Sequence, residues 1–178
     1  MKTTGTIIGR IPLTETSLII HWCTETAGIV KTVAKGARRP KSPFSGKIDL
    51  FYYCEIEVHT ARKGDLHILK DLSVINPRAG LRRSYVQTLA ASYFVKLIDK
   101  AAEPETPIPE LEDLLNRGLN YLDSTDVDLR AVTHFEKQTA LILGIVHPQI
   151  NPLESLENHF GNLPGQRGEL IKRLSSAS

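Results

Sequence analysis

The stretch KIDLFYYCEIEVHT, Lys47 to Thr60, decides the fold, because it is rich in aromatic and β-branched residues that favour extended backbone. It reads as one strand well beyond the usual ~5–6 residues, and that length suits a strand bent around a small closed sheet. On either side of it lie further alternating segments, Thr3 to Gly9, Ser17 to Thr24, Gly28 to Ala34 and Asp65 to Ile75. Together they predict a small antiparallel β-barrel. Thr26-Ala27-Gly28 and Arg62-Lys63-Gly64-Asp65 supply the turns, whereas Gly36 to Gly46, with two glycines and two prolines, predicts an exposed and mobile loop.

Beyond Pro77 the apolar period changes to that of a helix. Leu81, Tyr85, Leu89, Tyr93 and Leu97 mark a first amphipathic helix, and the prolines between Glu103 and Pro109 stop it near Ala102. Leu111, Leu114, Leu115, Leu119 and Leu122 mark a second helix. A third begins with Thr125 or Asp126 as cap and closes at Gly144. Asn151-Pro152 opens a fourth, Glu169 to Ser175 a fifth, and the final Ser-Ser-Ala-Ser is expected to fray. The fold class is therefore α+β, with a barrel over residues 1–78 and an all-α bundle over 79–178.

At 178 residues, with 41% hydrophobic and 24% charged side chains, the chain has the composition of an ordinary globular protein. No apolar run approaches the ~20 residues needed to cross a bilayer. The first residues lack the apolar core of a secretory signal, so a cytoplasmic location is expected. The net charge of +2 hides a division: residues 1–80 carry 12 Lys or Arg against 7 Asp or Glu, and residues 81–178 carry 10 against 13. Lys31, Lys35, Arg38, Arg39, Lys41 and Lys47 follow one another without a single intervening acid. Such a cluster can be a solvated face that protects a strand edge, or a site for a polyanion.

The spacing of glycines excludes a Walker loop, a Gly-x-Gly-x-x-Gly turn and a Gly-x-Ser-x-Gly elbow. Six scattered histidines and two distant cysteines, Cys23 and Cys54, do not form a zinc set, and both thiols are expected to be buried. Asp123, Asp126 and Asp128 lack the glycine and glutamate of a calcium loop and read as helix caps. No catalytic residue, metal or cofactor is predicted. Small barrels of this kind often bind single strands through a cationic groove with aromatic platforms. The basic loop carries Phe44, and the following strand carries Phe51, Tyr52 and Tyr53. Alternation sets Tyr52 against Phe51 and Tyr53, so one set faces the core and the other can reach solvent. Arg82 and Arg83, at the bundle entrance, either extend the positive surface or solvate a helix end.

The run Ala34-Lys35-Gly36-Ala37-Arg38-Arg39-Pro40-Lys41-Ser42 resembles the segment after an early strand in the RecO family of bacterial recombination mediators. Glu15 to Ile20, Thr24-Glu25 and Gly28 to Val30 resemble that family's opening, and Phe135-Glu136, Leu143-Gly144 and Pro148 its helical part. The resemblance implies an OB-fold joined to a helical domain that binds single- and double-stranded DNA and anneals complementary strands without catalysis. It implies as partners RecR and the acidic tail of single-stranded DNA-binding protein, and indirectly RecA, which is loaded on coated strands at the nucleoid. The chain departs from the family in being shorter. It also lacks the four-cysteine zinc module that some members carry in the helical part, since both its cysteines fall in the barrel.

The nucleic-acid-binding residues expected on these grounds are Lys31, Lys35, Arg38, Arg39, Lys41, Lys47, Phe44, Arg82 and Arg83. A different class of function, an adaptor whose basic loop receives acidic peptides, uses the same cations.

Overall fold

The computed structural model describes residues 1–177. Five strands, β1 (Lys2–Pro12), β2 (Leu18–Thr24), β3 (Gly28–Ala34), β4 (Tyr53–His59) and β5 (Leu66–Asn76), close into a barrel in the order β1-β2-β3-β5-β4. This is an OB-fold. Four of its pairings are antiparallel, but β3 meets β5 in parallel, Lys31 to Val33 against Leu66 to Ile68. The purely antiparallel expectation is corrected here by parity, because a closed ring with an odd number of strands cannot alternate direction at every step. Inward-facing Ile7, Ile20, Trp22, Val30, Ile56, Val58, Leu69 and Leu72 fill the barrel. The buried Trp22 indole donates to Thr32 Oγ1 at 2.9 Å, so its one polar atom is satisfied.

The long strand expected over Lys47 to Thr60 is halved. Only Tyr53–His59 is extended, and Lys47 to Phe51 is mostly turn. Gly46 and Phe51 both adopt positive φ, 73° each, which breaks an extended run. Phe51 is held there by its amide, which donates to Ile7 O at 2.8 Å, while Ile7 N donates to Tyr52 O at 3.0 Å. Both cysteines are buried, and desolvation pushes the Cys54 thiol up to about 12, opposed by the Arg78 guanidinium.

The chain divides into two compact units. The first comprises Met1–Arg78 with Ala102–Glu112, and the second comprises Ala79–Ala101 with the chain from Asp113 onward. The segment Ala102–Glu112 therefore packs with the barrel. Glu105 N donates to Ile29 O at 2.9 Å, Pro104 bridges Ile29, and the Glu105 carboxylate lies 3.2 Å from the buried His67 Nε2. Gly28 makes this approach possible: its φ is +67°, and a Cβ there would come within 2.4 Å of Thr106 O. The register sets His59 opposite Ile68, which puts His59 and His67 on opposite faces of the sheet.

The helical unit contains α1 (Tyr85–Ala101), most of α2 (Pro109–Ser124), α3 (Leu129–Ile142), α4 (Pro152–Phe160) and α5 (Gln166–Ser176). The helix expected from Leu81 starts at Tyr85, because Ala79–Arg82 is a 3-10 turn, and Tyr85 is exposed while Leu89, Tyr93 and Leu97 are buried. Phe94 and Phe135 stack at 3.8 Å, a contact that Gly118 permits because a Cβ there would press within 2.9 Å of the Phe135 ring. The buried Glu136 accepts from Tyr93 Oη at 2.7 Å and pairs with Arg167, joining α1, α3 and α5. Asp128, one of the three aspartates read as helix caps, caps α3 rather than Thr125 or Asp126, since its carboxylate is the one that reaches Ala131 N, at 2.8 Å. Asn151 caps α4. Of the terminal serines, Ser175 and Ser176 belong to α5, and Ser178 lies outside the described residues.

Candidate nucleic-acid interface

The segment after β3 is built of successive reverse turns. Ala37 N donates to Ala34 O, Arg39 N to Gly36 O, Ser42 N to Arg39 O, Ser45 N to Ser42 O and Lys47 N to Phe44 O, at 3.0 to 3.3 Å. Gly36 takes φ +68°, the left-handed conformation that a bend this tight demands. The expected mobile loop is thus a packed one. It is pinned to the β1–β2 connection, where Arg38 N donates to Thr16 O and its guanidinium to Thr14 O, both at 2.9 Å, and Gly36 N donates to Ser17 Oγ at 3.2 Å. Thr14 Oγ1 in turn accepts from Thr16 N and Ser17 N and shapes that connection.

Phe44 is the other anchor. It is 7% exposed and belongs to the barrel core, so the expectation that it offers a stacking platform is corrected. The turn run tethers it over the barrel interior, where burying a large ring is favourable. Phe51 is buried too, and Tyr52 packs against the same core. Tyr53 is half-buried, with the Arg78 guanidinium 5.4 Å from its ring centroid.

The predicted cations separate into two groups. Lys35, Arg38, Arg39 and Lys41 are exposed on one continuous run, and among the described residues no carboxylate lies within ion-pair distance of them. Lys31 and Lys47 are half-buried and engaged: Lys31 Nζ lies 3.4 Å from Asp65, and Lys47 Nζ donates to Leu72 O at 3.3 Å. The Asp65 carboxyl is held below its ordinary range by a hydrogen bond to its own backbone and by Lys31. Arg82 and Arg83 belong to the helical unit, where Arg83 pairs with Asp126 at 3.0 Å and donates to Gly80 O and Asp123 O.

Charge is also segregated along β3. The acidic segment with Glu103 and Glu105 sits beside its first residues, Gly28 and Ile29, and the cationic turns follow its last, Ala34. Six steps of roughly 3.3 Å separate the two ends by about 20 Å, well beyond a Debye length at physiological salt. The four exposed cations of the turns thus lie at the end of β3 away from Glu103 and Glu105.

Sequence reasoning passed over Arg78, a fully buried arginine that donates to Phe51 O at 2.8 Å and to Thr6 Oγ1 at 3.1 Å and so holds the far end of the turn segment. It also passed over Thr14 and Ser17, although the Thr14-Glu15-Thr16-Ser17 run carries a legible hydroxyl-turn signal.

Comparison with known proteins agrees with this architecture. Residues 1–78 match the family described as Recombination protein O N terminal. The DNA repair protein RecO of Rhodopirellula baltica is 27% identical over 138 residues, 78% of this chain and 51% of that protein. That of Syntrophus aciditrophicus is 28% identical over 76% of this chain and 52% of its own length. That of Idiomarina loihiensis is 33% identical over 78% of this chain and 58% of its own. The chain thus spans about half the length of the curated relatives it matches. With its barrel matched from end to end by the family model and its relatives extending into the helices, the barrel belongs to the RecO N-terminal family and the chain is similar to RecO proteins over most of its length.

Proposed function

We propose that this chain is a mediator of DNA repair and recombination that works without catalysis. Its barrel holds single- and double-stranded DNA by the phosphates through Lys35, Arg38, Arg39 and Lys41 and so anneals complementary strands. With RecR it helps load RecA on single strands coated by single-stranded DNA-binding protein. The observation that carries the reading is the row of four exposed cations, without carboxylate partners, on turns pinned to the barrel. The relatives' description as DNA repair proteins supports the same reading. For an acidic peptide tail, the helical unit offers a groove of about 520 Å³ with Arg117, Arg130 and His134 around the stacked Phe94 and Phe135. That combination suits carboxylates beside apolar side chains.

The test compares the chain with its Lys35→Glu, Arg38→Glu, Arg39→Glu, Lys41→Glu variant on labelled single strands and duplexes over a salt series. Four phosphate contacts give a log–log slope of about −3 on a single strand and a slightly steeper one on duplex. The variant, shown by circular dichroism to be folded, loses both binding and annealing. Undiminished DNA binding by the folded variant overturns the reading. An intact chain that binds acidic peptides but not DNA at low salt is an adaptor instead.

A further inference from the structure

The aromatic inventory of the barrel unit bears on what the cationic turns recognise. Trp22, Phe44, Phe51, Tyr52 and Tyr53 are its Phe, Tyr and Trp residues, and each is buried or packed. Trp22 is enclosed and spends its N–H on Thr32, Phe44 and Phe51 are buried, Tyr52 lies against the core, and Tyr53 faces the Arg78 guanidinium. One row of the sheet's outer face is aliphatic instead, among charged and polar positions such as Glu55, Glu57 and Lys70. Register neighbours Ile11, Ile19, Val33 and Ile68 form one row across β1, β2, β3 and β5, which ends at His59 on β4. Branched aliphatic side chains exclude water but offer no π-face for a base. The exposed tyrosines Tyr85 and Tyr121 belong to the helical unit, and Tyr85 is engaged there, its hydroxyl donating to Glu169 Oε2 at 3.1 Å with the Arg173 guanidinium 4.6 Å from its ring centroid.

The geometry points to a backbone-only grip: the cationic turns Lys35 to Lys41 recognise the polynucleotide phosphodiester chain itself and leave the bases unstacked against protein. The inference rests on the DNA-binding reading above and narrows its ligand to a class, the phosphodiester polyanion irrespective of base. It also accounts for annealing by physical means. A strand whose phosphates are neutralised and whose bases stay out of the protein keeps its Watson–Crick edges available to a second strand, and the repulsion between the two backbones is relieved.

The experiment measures binding of the full chain to a labelled oligodeoxynucleotide and to an abasic phosphodiester of equal length over the same salt series. A single lost base–aromatic stack weakens binding by about fivefold or more. The expected result is a difference below about fivefold with equal log–log slopes, because the counterion release is the same. A His59→Ala chain, lacking the exposed ring of the barrel face, is expected to bind both strands as the unaltered chain does. An abasic strand bound about fivefold or more weakly, or an equal loss on base-bearing DNA in His59→Ala, overturns the backbone-only grip while the DNA-binding reading stands. If neither strand binds at low ionic strength, both readings fall together.

Discussion

Phe44 shows how a single side chain changes role once its surroundings are known. Placed among cations in the sequence, it suits base stacking, but in the fold it fills the barrel core beneath the turns that carry those cations. The ring thus acts on the interface only through the backbone it anchors. Phe44→Leu keeps most of the buried volume and is expected to lower stability by about 1–2 kcal/mol, as shape-changing core substitutions do. DNA affinity of the folded fraction should stay unchanged. Urea unfolding followed by Trp22 fluorescence reads the first quantity and a binding titration the second. A large loss of affinity without loss of stability would restore the stacking role. Arg78 illustrates the complementary case, a charged group used as a buried clamp between Thr6 and Phe51.

Among the elements, β3 organises the barrel unit. It pairs with β2 along its whole length and with β5 over Lys31 to Val33, and at its start Ile29 receives the segment around Glu105. Gly28 is where that arrangement is most vulnerable, because an added Cβ meets Thr106 O and the left-handed φ disfavours any side chain. Gly28→Ala should therefore release the Ala102–Glu112 segment, at a cost of about 1–3 kcal/mol. Hydrogen exchange checks this directly: the Glu105 amide, now bonded to Ile29 O, loses protection, while amides in the β1–β2 ladder keep theirs. Retained protection at Glu105 would show that the backbone shifts to accommodate the methyl group.

At the scale of the whole molecule, the two compact units use their arginines differently. On the turns after β3 four cations stay exposed, while in the helical unit Arg83 is committed to Asp126, Asp123 and Gly80 and Arg167 to Glu136. An arginine already bonded three ways at a helix junction contributes to stability before it contributes to a phosphate site. Arg83→Ala is expected to lower the thermal stability of the helical unit while leaving the salt slope of DNA binding unchanged. Lys41→Ala should do the reverse and reduce that slope by roughly 0.7 on single strands. Calorimetry and the salt series separate the two outcomes.

Much of this architecture is written in local patterns. The alternation of β2 and β3, the leucine stripe of α2, the Asn151-Pro152 start of α4 and the acid-free run from Lys31 to Lys47 all depend on neighbours within a few positions, which a linear reading captures. What escaped that reading depends on residues distant along the chain. Ring closure makes β3 and β5 parallel, Leu72 claims the Lys47 ammonium from 25 positions away, and Thr6 receives Arg78 from 72. The division of six like cations into engaged and exposed groups follows from those meetings. A cation stays available to a phosphate where folding leaves it exposed and brings no carboxylate close enough to neutralise it, as at Arg38, whose guanidinium gives one N–H to Thr14 O yet remains exposed, and proximity of that kind is a property of the assembled barrel.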